Sequence, residues 1–401
     1  MEEFRRGWAA ALGCLIGHVV GLHTLPPYTI GLFIGPLQDA FGWSRTAISL
    51  GITILTIGLA ISAPVVGLLV DRVGERTLIA VGMLVLAIGY ASLSTMTGSL
   101  AVFWTTMALM ALLGAGCSPV TLSRILVFIF DRNRGMALGV TLVGTGLTGT
   151  LAPIVLGPVI AEYGWRAGYQ VLSLIMAVCL PIVLGLLVLN GVGKARPKVS
   201  PDVGRSPPPR LAEIARQPLF LRLAAVFFCI AIATGGTVVH FVPMLVDAGY
   251  PAQSAAQMAS LLGLSLVTGR LLTGIAMDYV FAPRLAVVLM AISGGGFVAL
   301  GLGDSALLPY VAVFVGMSLG AEIDLIVFLA SRYFAPQHFG RTFGLLYSTF
   351  LVGVALSPPV YALLHEAEGS YDPGFLWAAG FLGLSAILFL TLPRFPTTPE
   401  P

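Results

Sequence analysis

Gly67-Leu68-Leu69-Val70-Asp71-Arg72-Val73-Gly74-Glu75-Arg76 closes one long apolar run and turns the chain straight into the next. In the second half, Gly274-Ile275-Ala276-Met277-Asp278-Tyr279-Val280-Phe281-Ala282-Pro283-Arg284 does the same. Each stretch keeps a glycine, an aspartate four residues on, and an arginine after a tight turn. Glycine permits close approach and sharp reversal of the backbone. Asp71 can answer the positive N-terminus of a neighbouring helix. Such a cluster can lock one conformational state and release it in another, and Gly67, Asp71, Arg72, Gly74, Arg76 and Asp278 are the candidates for that gating role. Plain anchoring of the loops is the alternative.

Working outward, the chain carries 57% hydrophobic and only 10% charged residues, with 48 Gly and 26 Pro. Its mean hydropathy is +0.96. A spanning helix needs about 20 apolar residues. Twelve runs qualify, at about 8–36, 46–70, 77–96, 102–129, 136–161, 169–190, 222–246, 254–280, 284–303, 306–331, 342–364 and 374–392. Strands of a membrane barrel would be half that length, with alternating polarity. An all-α membrane protein with twelve spanning helices is the expected class. The first run is too long for a signal peptide and is read as helix 1. Trp8, Trp43, Trp104, Trp165 and Trp377 fall near run ends, as interfacial aromatics do.

The basic residues gather on one side. Arg5, Arg6, Arg72, Arg76, Arg132, Arg134, the Lys and Arg of 194–222, Arg284, Arg332, Arg341 and Arg394 share it, whereas only Arg45 and Arg166 fall on the other. The positive-inside bias puts both termini and the 191–221 segment in the cytoplasm. The net charge of +3 is this bias and not a nucleic-acid footprint. Cys14, Cys117, Cys179 and Cys229 stand isolated in apolar runs and suggest neither a disulfide nor a metal site. No cofactor is expected.

One long hydrophilic stretch, 191–221, carries Pro197, Pro201 and Pro207-Pro208-Pro209 and reads as a loose basic cytoplasmic linker. It divides the chain into six-helix bundles at 1–190 and 222–401. The halves echo each other beyond the two loops: His23-Thr-Leu-Pro26 matches His240-Phe-Val-Pro243, and Phe130 with Gly139 matches Phe334 with Gly344. Weak internal repetition of this kind marks carriers built from repeats.

The Gly67–Arg76 loop resembles the signature loop of the major facilitator superfamily, whose twelve spans and central linker match the whole chain. Phe130-x3-Arg134-x2-Ala137-x-Gly139-x4-Gly144 resembles the fifth-helix signature of the monocarboxylate transporter family. Phe41-Gly-Trp-Ser-Arg45 and Gly164-Trp-Arg-Ala-Gly-Tyr169 are similar to loops of its bacterial branch, which includes oxalate–formate exchangers. The resemblance implies two pseudo-symmetric bundles, helices 1, 4, 7 and 10 around a central cavity, and Arg134 among the gating residues.

Against that frame, charges inside the runs are the pointers to function, because each is costly in lipid. Arg124 lies in the fourth run, Arg270 in the eighth, and Glu322 and Asp324 in the tenth. Gly269-Arg270-Leu-Leu-Thr-Gly274 resembles the arginine region that binds the substrate carboxylate in the monocarboxylate family, and a guanidinium grips a carboxylate with two parallel hydrogen bonds. A structural ion pair of Arg270 with Glu322 or Asp324 is the alternative, and both hold if substrate displaces the pair. Glu322 and Asp324, two apart, point about 160° from each other. One is expected in the cavity, carrying a coupling proton, and the other as a counter-ion; Glu322, nearer mid-span, is favoured for the cavity, and two structural counter-ions, for Arg124 and Arg270, are the alternative. Arg124 has no counterpart in the second half, where Phe328 aligns. It reads as a second anion contact or as an arginine snorkelling from a helix end. His23 and His240 are candidates for substrate contact or proton transfer, with helix–helix hydrogen bonding as the alternative. His18 lies in Gly13-x3-Gly17-x3-Gly21, a close-packing face, and is read as structural.

The chain departs from its relatives. Many of them hold an acid four residues before the arginine, where this chain has Leu266. Their helix-1 lysine has no match, and Arg5-Arg6 replaces the acidic start of the helix-1 signature. Coupling is therefore expected on the tenth run. Gly144-x-Gly146-x-x-Gly149 and Gly316-x-Ser318-x-Gly320 fit dinucleotide and nucleophile-elbow patterns, but neither follows a strand, and both read as packing glycines. The expected function is alternating-access transport of a small carboxylate or related organic anion with proton symport, by a monomer and not an enzyme. Proton-driven efflux of drugs or metabolites is the alternative; the fifth run lacks the complete antiporter glycine pattern and keeps only Gly157-Pro158.

Overall fold

The computed structural model describes residues 2–192, 210–247, 249–302, 307–335 and 338–396. Its spanning segments are α1 (Glu2–Val20 and Leu25–Phe41), α2 (Arg45–Val73), α3 (Glu75–Ser94), α4 (Leu100–Gly114 and Pro119–Ile129), α5 (Arg134–Leu142, continuing over 144–163), α6 (165–189), α7 (Pro218–Asp247), α8 (Ala252–Met277), α9 (Ala282–Gly301), α10 (Leu308–Tyr333), α11 (Phe339–Glu368) and α12 (Asp372–Leu390). A short helix, Leu211–Ala215, precedes α7. Eleven continuous stretches are long and apolar enough to cross a membrane, and one of them bends at Gly164 into α5 and α6. Twelve crossings result among the described residues. The linker reading over 191–221 falls mostly on 193–209, outside the described residues.

The boundaries follow from local chemistry. Ser44 caps α2 by accepting from the Ala47 amide at 3.1 Å, and Ser99 accepts from Val102 N at the start of α4. Gly74 (φ 80°) lets α3 begin one residue after α2 stops, and Gly164 (φ 81°) does so between α5 and α6. An L side chain is strained at such φ values. Outward helix faces remain apolar and exposed, as at Ile61, Ile154 and Leu174, which suits contact with lipid.

The chain divides into two compact units. The first comprises Met1–Arg132, Val140–Leu211 and Pro336–Leu345; the second comprises Asn133–Gly139, Ala212–Ala335 and Leu346–Pro401. Each bundle thus loses the first turns of its fifth helix to the other unit, a feature absent from the 1–190 and 222–401 boundaries drawn on sequence. Inside the first unit α2 packs on α4 and α3 on α6; inside the second α8 packs on α10 and α9 on α12. The repeat extends to backbone detail. Phe130 and Phe334 both end their helices in extended conformation, each donating its N–H to the carbonyl four residues back.

Two helices of the first unit are broken at the same level. α1 opens at Gly21–Thr24 and α4 at Ala115–Ser118, and Leu22 N donates to Cys117 O across the gap at 3.1 Å. Thr24 Oγ1 answers freed carbonyls, 2.5 Å from His18 O and 3.0 Å from Gly21 O. This satisfies backbone that lipid cannot. The stretches Phe41–Arg45 and Gly164–Tyr169 meet in an aromatic cluster in which Phe41 packs on Trp43 and Trp165. Arg166 lies 4.1 Å over the Trp165 ring and donates to Met96 O. Trp43 and Trp165 are buried packing residues beside helix ends, whereas Trp8 is exposed.

Candidate functional site

Arg270 sits where α8 and α10 approach most tightly. A Cβ on Gly269 would press on the Met317 backbone, and one on Gly320 would collide with the Leu266 carbonyl. These glycines bring Arg270 and Asp324 together, both buried, with Nη1 and Oδ2 3.6 Å apart. That is an ion-pair distance, too long for a hydrogen bond. Arg270 Nε and Nη1 and both Asp324 carboxylate oxygens have no hydrogen-bond partner among the described residues. Glu322, equally buried, looks elsewhere: its Oε1 is 2.7 Å from Thr234 Oγ1 on α7. The two acids thus engage different helices, as their spacing requires.

The histidines occupy different settings. His23 lies in the α1 break, its Nε2 3.3 Å from His18 Nδ1, with the rings edge to face. His18, read as purely structural, is therefore the partner of His23. His240 lies in unbroken helix, with Nδ1 3.2 Å from Tyr371 Oη and Nε2 3.1 Å from Pro358 O.

Arg124 reaches the first loop. It pairs with Asp71 at 2.7 Å and with Glu75 at 3.5 Å, and lies 5.2 Å over the Phe128 ring. Arg341 reaches the other oxygen of Asp71 at 3.4 Å. Arg124 is thus a loop-network residue here, and Glu75 is a member the sequence reading missed. Gly67 packs against Gly340, and Gly344 against Ala63, with no room for a Cβ. Arg72 is exposed, and neither it nor Arg76 forms an ion pair among the described residues.

The second unit repeats the plan with different chemistry. Asp278 accepts from Gly135 N at 2.7 Å and Met136 N at 2.9 Å, so its carboxylate caps the start of α5. The helix-terminus contact expected of Asp71 is thus made by Asp278, while Asp71 pairs instead with Arg124 and Arg341. Arg134 Nη1 donates to Ser331 Oγ at 3.1 Å and lies 3.3 Å from its carbonyl. Gly139, the glycine of the fifth-helix signature, packs on the Arg270 carbonyl and on Gly274.

Comparison with known proteins places this geometry. Residues 19–323 match the model of the Major Facilitator Superfamily. The chain belongs to that superfamily.

Among major facilitators it is similar to Monocarboxylate transporter 11 of Homo sapiens, 28% identical over 289 residues, covering 68% of this chain and 59% of that protein. Monocarboxylate transporter 13 of Bos taurus is 25% identical over 399 residues, covering 97% and 90%. Monocarboxylate transporter 4 of Rattus norvegicus is 26% identical, covering 96% and 82%. These are animal proteins, so they carry no support for the bacterial branch. In structure the chain resembles the proton:xylose symporter XylE (TM-score 0.78, 15% identity, covering 96% of each chain) and the human organic anion transporter MFSD10 (TM-score 0.73, 18% identity, covering 97% and 100%). These likenesses show the fold. The protein is a multi-pass membrane protein of the facilitator fold.

This facilitator also holds polar residues on α7 and α11 that the sequence reading passed over. Thr234-Gly235-Gly236-Thr237 opens a slot in which Tyr361 of α11 lies, because a Cβ on Gly236 would strike its ring. Ser357 Oγ is 2.6 Å from both Gly236 N and Ile232 O. Two hydroxyls flanking a glycine pair in a spanning helix were the available signal.

Proposed function

We propose that this facilitator moves a small carboxylate or related organic anion across the cytoplasmic membrane of a bacterium, by alternating access with proton symport. The observation that carries the reading is Arg270: a buried guanidinium held by Asp324 at 3.6 Å and not saturated by hydrogen bonds. A carboxylate fits two parallel N–H donors, and an incoming one takes Arg270 over from Asp324. Asp324 supplies, from α10, the acid missing at Leu266 of α8. Glu322, facing Thr234, carries the proton, and Asp324 accepts one when the pair opens. His23 and His240 are further candidates for substrate contact. Arg124 serves the gate with Asp71, Glu75 and Arg341 and not the substrate. Similarity to monocarboxylate transporters along the chain supports the substrate class.

In this reading the loop clusters lock one state. Asp71 with its two arginines, and Asp278 on the start of α5, hold Gly67 and Gly274 against Gly340 and Gly135. Arg72 and Arg76 hold the first loop on the side of the termini.

The test is uptake of labelled small mono- and dicarboxylates into proteoliposomes, with and without an imposed pH gradient. Gradient-driven accumulation of one such acid, lost in Arg270→Gln while the protein still inserts, is expected. Uptake unchanged in that variant excludes the assignment of Arg270.

A further inference from the structure

The chain beyond α12 makes contacts that the transport reading does not use. Residues 391–396 lie against the ends of α7, α9 and α10 within the second unit. Tyr333 Oη donates to Pro393 O at 2.6 Å, and Arg222 Nη1 donates to Thr391 O at 3.3 Å. The Phe395 ring packs on Phe281, just before α9, and on Tyr333 and Phe328 of α10, with centroids 4.9, 5.0 and 6.2 Å away. Leu392 is buried. These contacts fix the tail in place.

Fixing the tail gathers arginines. Arg222 lies in the first turns of α7 and Arg284 in the first turn of α9, Arg332 closes α10, and Arg394 adjoins Phe395. Arg332 is half-buried, its guanidinium 5.2 Å over the Phe328 ring, and the other three are exposed. Residues 218–225, 279–287, 326–335 and 388–396 contain no acid. Asp278, at the end of α8, is taken up by the Gly135 and Met136 amides. Among the described residues Arg222, Arg284 and Arg394 form no ion pair. The positive-inside bias asks for cations on one side of the membrane. It does not ask for an aromatic lock that gathers them around one tail with no counter-ion.

The surface beside these arginines is apolar. α9 and α12 pack side by side. Arg284, Val288 and Ile292 follow one another at every fourth residue of α9, so one stripe begins with a charge and continues with two exposed apolar side chains. On α12, exposed Leu384, Ile387 and Leu390 form a similar stripe that runs out into the tail towards Arg394. Each stripe has a cationic head and an apolar body, the complement of a phospholipid with an anionic headgroup.

We infer that Arg222, Arg284 and Arg394 form a site for the headgroup phosphate of an anionic phospholipid, whose acyl chains lie along the exposed faces of α9 and α12. A guanidinium pairs with phosphate oxygens through parallel hydrogen bonds, and basic pockets between spanning helices at the membrane surface hold anionic headgroups. A lipid of net negative charge answers the gathered cations. A zwitterionic lipid brings its own ammonium group and answers them less. The site lies at the helix ends, apart from Arg270, and binding there is independent of the transport reading.

The test needs no substrate. The full chain, purified in a neutral detergent, is titrated with phosphatidylglycerol, and bound lipid is counted by native mass spectrometry. Phosphatidylglycerol is expected to bind well ahead of phosphatidylcholine, and glycerol 3-phosphate, which has the phosphate without the chains, is expected not to bind. Loss of one arginine is expected to weaken phosphatidylglycerol binding roughly 5-fold, and Arg284→Gln with Arg394→Gln roughly 30-fold, at about 1 kcal/mol for each cation at an anionic surface. Arg5→Gln with Arg132→Gln removes two exposed arginines from the first unit and is expected to leave affinity unchanged. Phe395→Ala keeps every charge but frees the tail, and is expected to match the loss of one arginine. Equal binding of the two lipids, equal losses in the two double variants, or parent affinity in Phe395→Ala overturns the site. Glycerol 3-phosphate bound as tightly as the lipid overturns the lipid assignment in favour of a bare anion.

Discussion

Arg270 and Asp324 face each other at 3.6 Å, opposite in charge, buried and not hydrogen-bonded to one another. Removing one partner of a buried pair strands the other and costs about 3–5 kcal/mol. Asp324→Asn is therefore expected to lower the thermal stability of the detergent-solubilised protein markedly. Arg270→Gln combined with Asp324→Asn should recover most of that loss without recovering uptake. A double variant no more stable than Asp324→Asn alone excludes direct pairing as the origin.

Arg124 bears on the loop in another way. Its guanidinium stands between Asp71, 22% exposed, and buried Glu75. Arg124→Gln leaves both acids with less compensation, and the partial exposure of Asp71 trims the cost to about 2 kcal/mol. Glu75→Gln in the same chain is expected to restore part of the stability. Thermal unfolding of the two variants and their combination measures the coupling.

Asp278 caps α5 through the Gly135 and Met136 amides. Asp278→Ala is expected to cost about 1–2 kcal/mol of local stability, with Asp278→Asn losing less because one acceptor oxygen remains. Hydrogen exchange should quicken at Gly135 and Met136 in the alanine variant. Unchanged protection there would show that the cap is not formed in solution.

Gly139 packs on the carbonyl of Arg270, where a Cβ would approach to 2.7 Å. Gly139→Ala must therefore push α5 off α8 and is expected to cut uptake sharply while the protein still inserts. Gly295→Ala is the control, because a Cβ there meets nothing within 4 Å. That variant should keep uptake and gain about 0.5–1 kcal/mol from helix propensity.

His338 precedes α11, near Arg341 and Asp71. Burial, and then the Arg341 charge, hold its pKa below the usual 6.5, with Asp71 opposing. The unfolded chain then binds this proton more readily than the folded one. Stability from this group is complete above pH 6.5 and falls as pH drops through the window down to the lowered folded value. His338→Gln is expected to flatten that acid-side loss in a pH series of melting temperatures. Parallel curves for parent and variant count against it.

The sequence by itself determined the twelve crossings, because the bilayer demands about 20 apolar residues for each. Gly67–Arg76 and Gly274–Arg284 were enough to expose the repeat. Glu322 and Asp324 had to engage different helices, because the α-helical period forbids two residues at that spacing from sharing a face. Tertiary structure alone decided the partners. Asp324 and not Glu322 meets Arg270, since Gly269 and Gly320 set the rotation of α8 against α10. Arg124 answers Asp71 and Glu75 across helices distant in sequence. His23 and His240, alike in their His-x-x-Pro context, diverge because α1 breaks at Gly21–Thr24 while α7 runs on. Tyr361 acquired meaning only when Gly236 admitted its ring from α11. Periodicity and composition act along one segment, whereas a buried charge is defined by whatever the packing of other segments brings within a few ångströms of it.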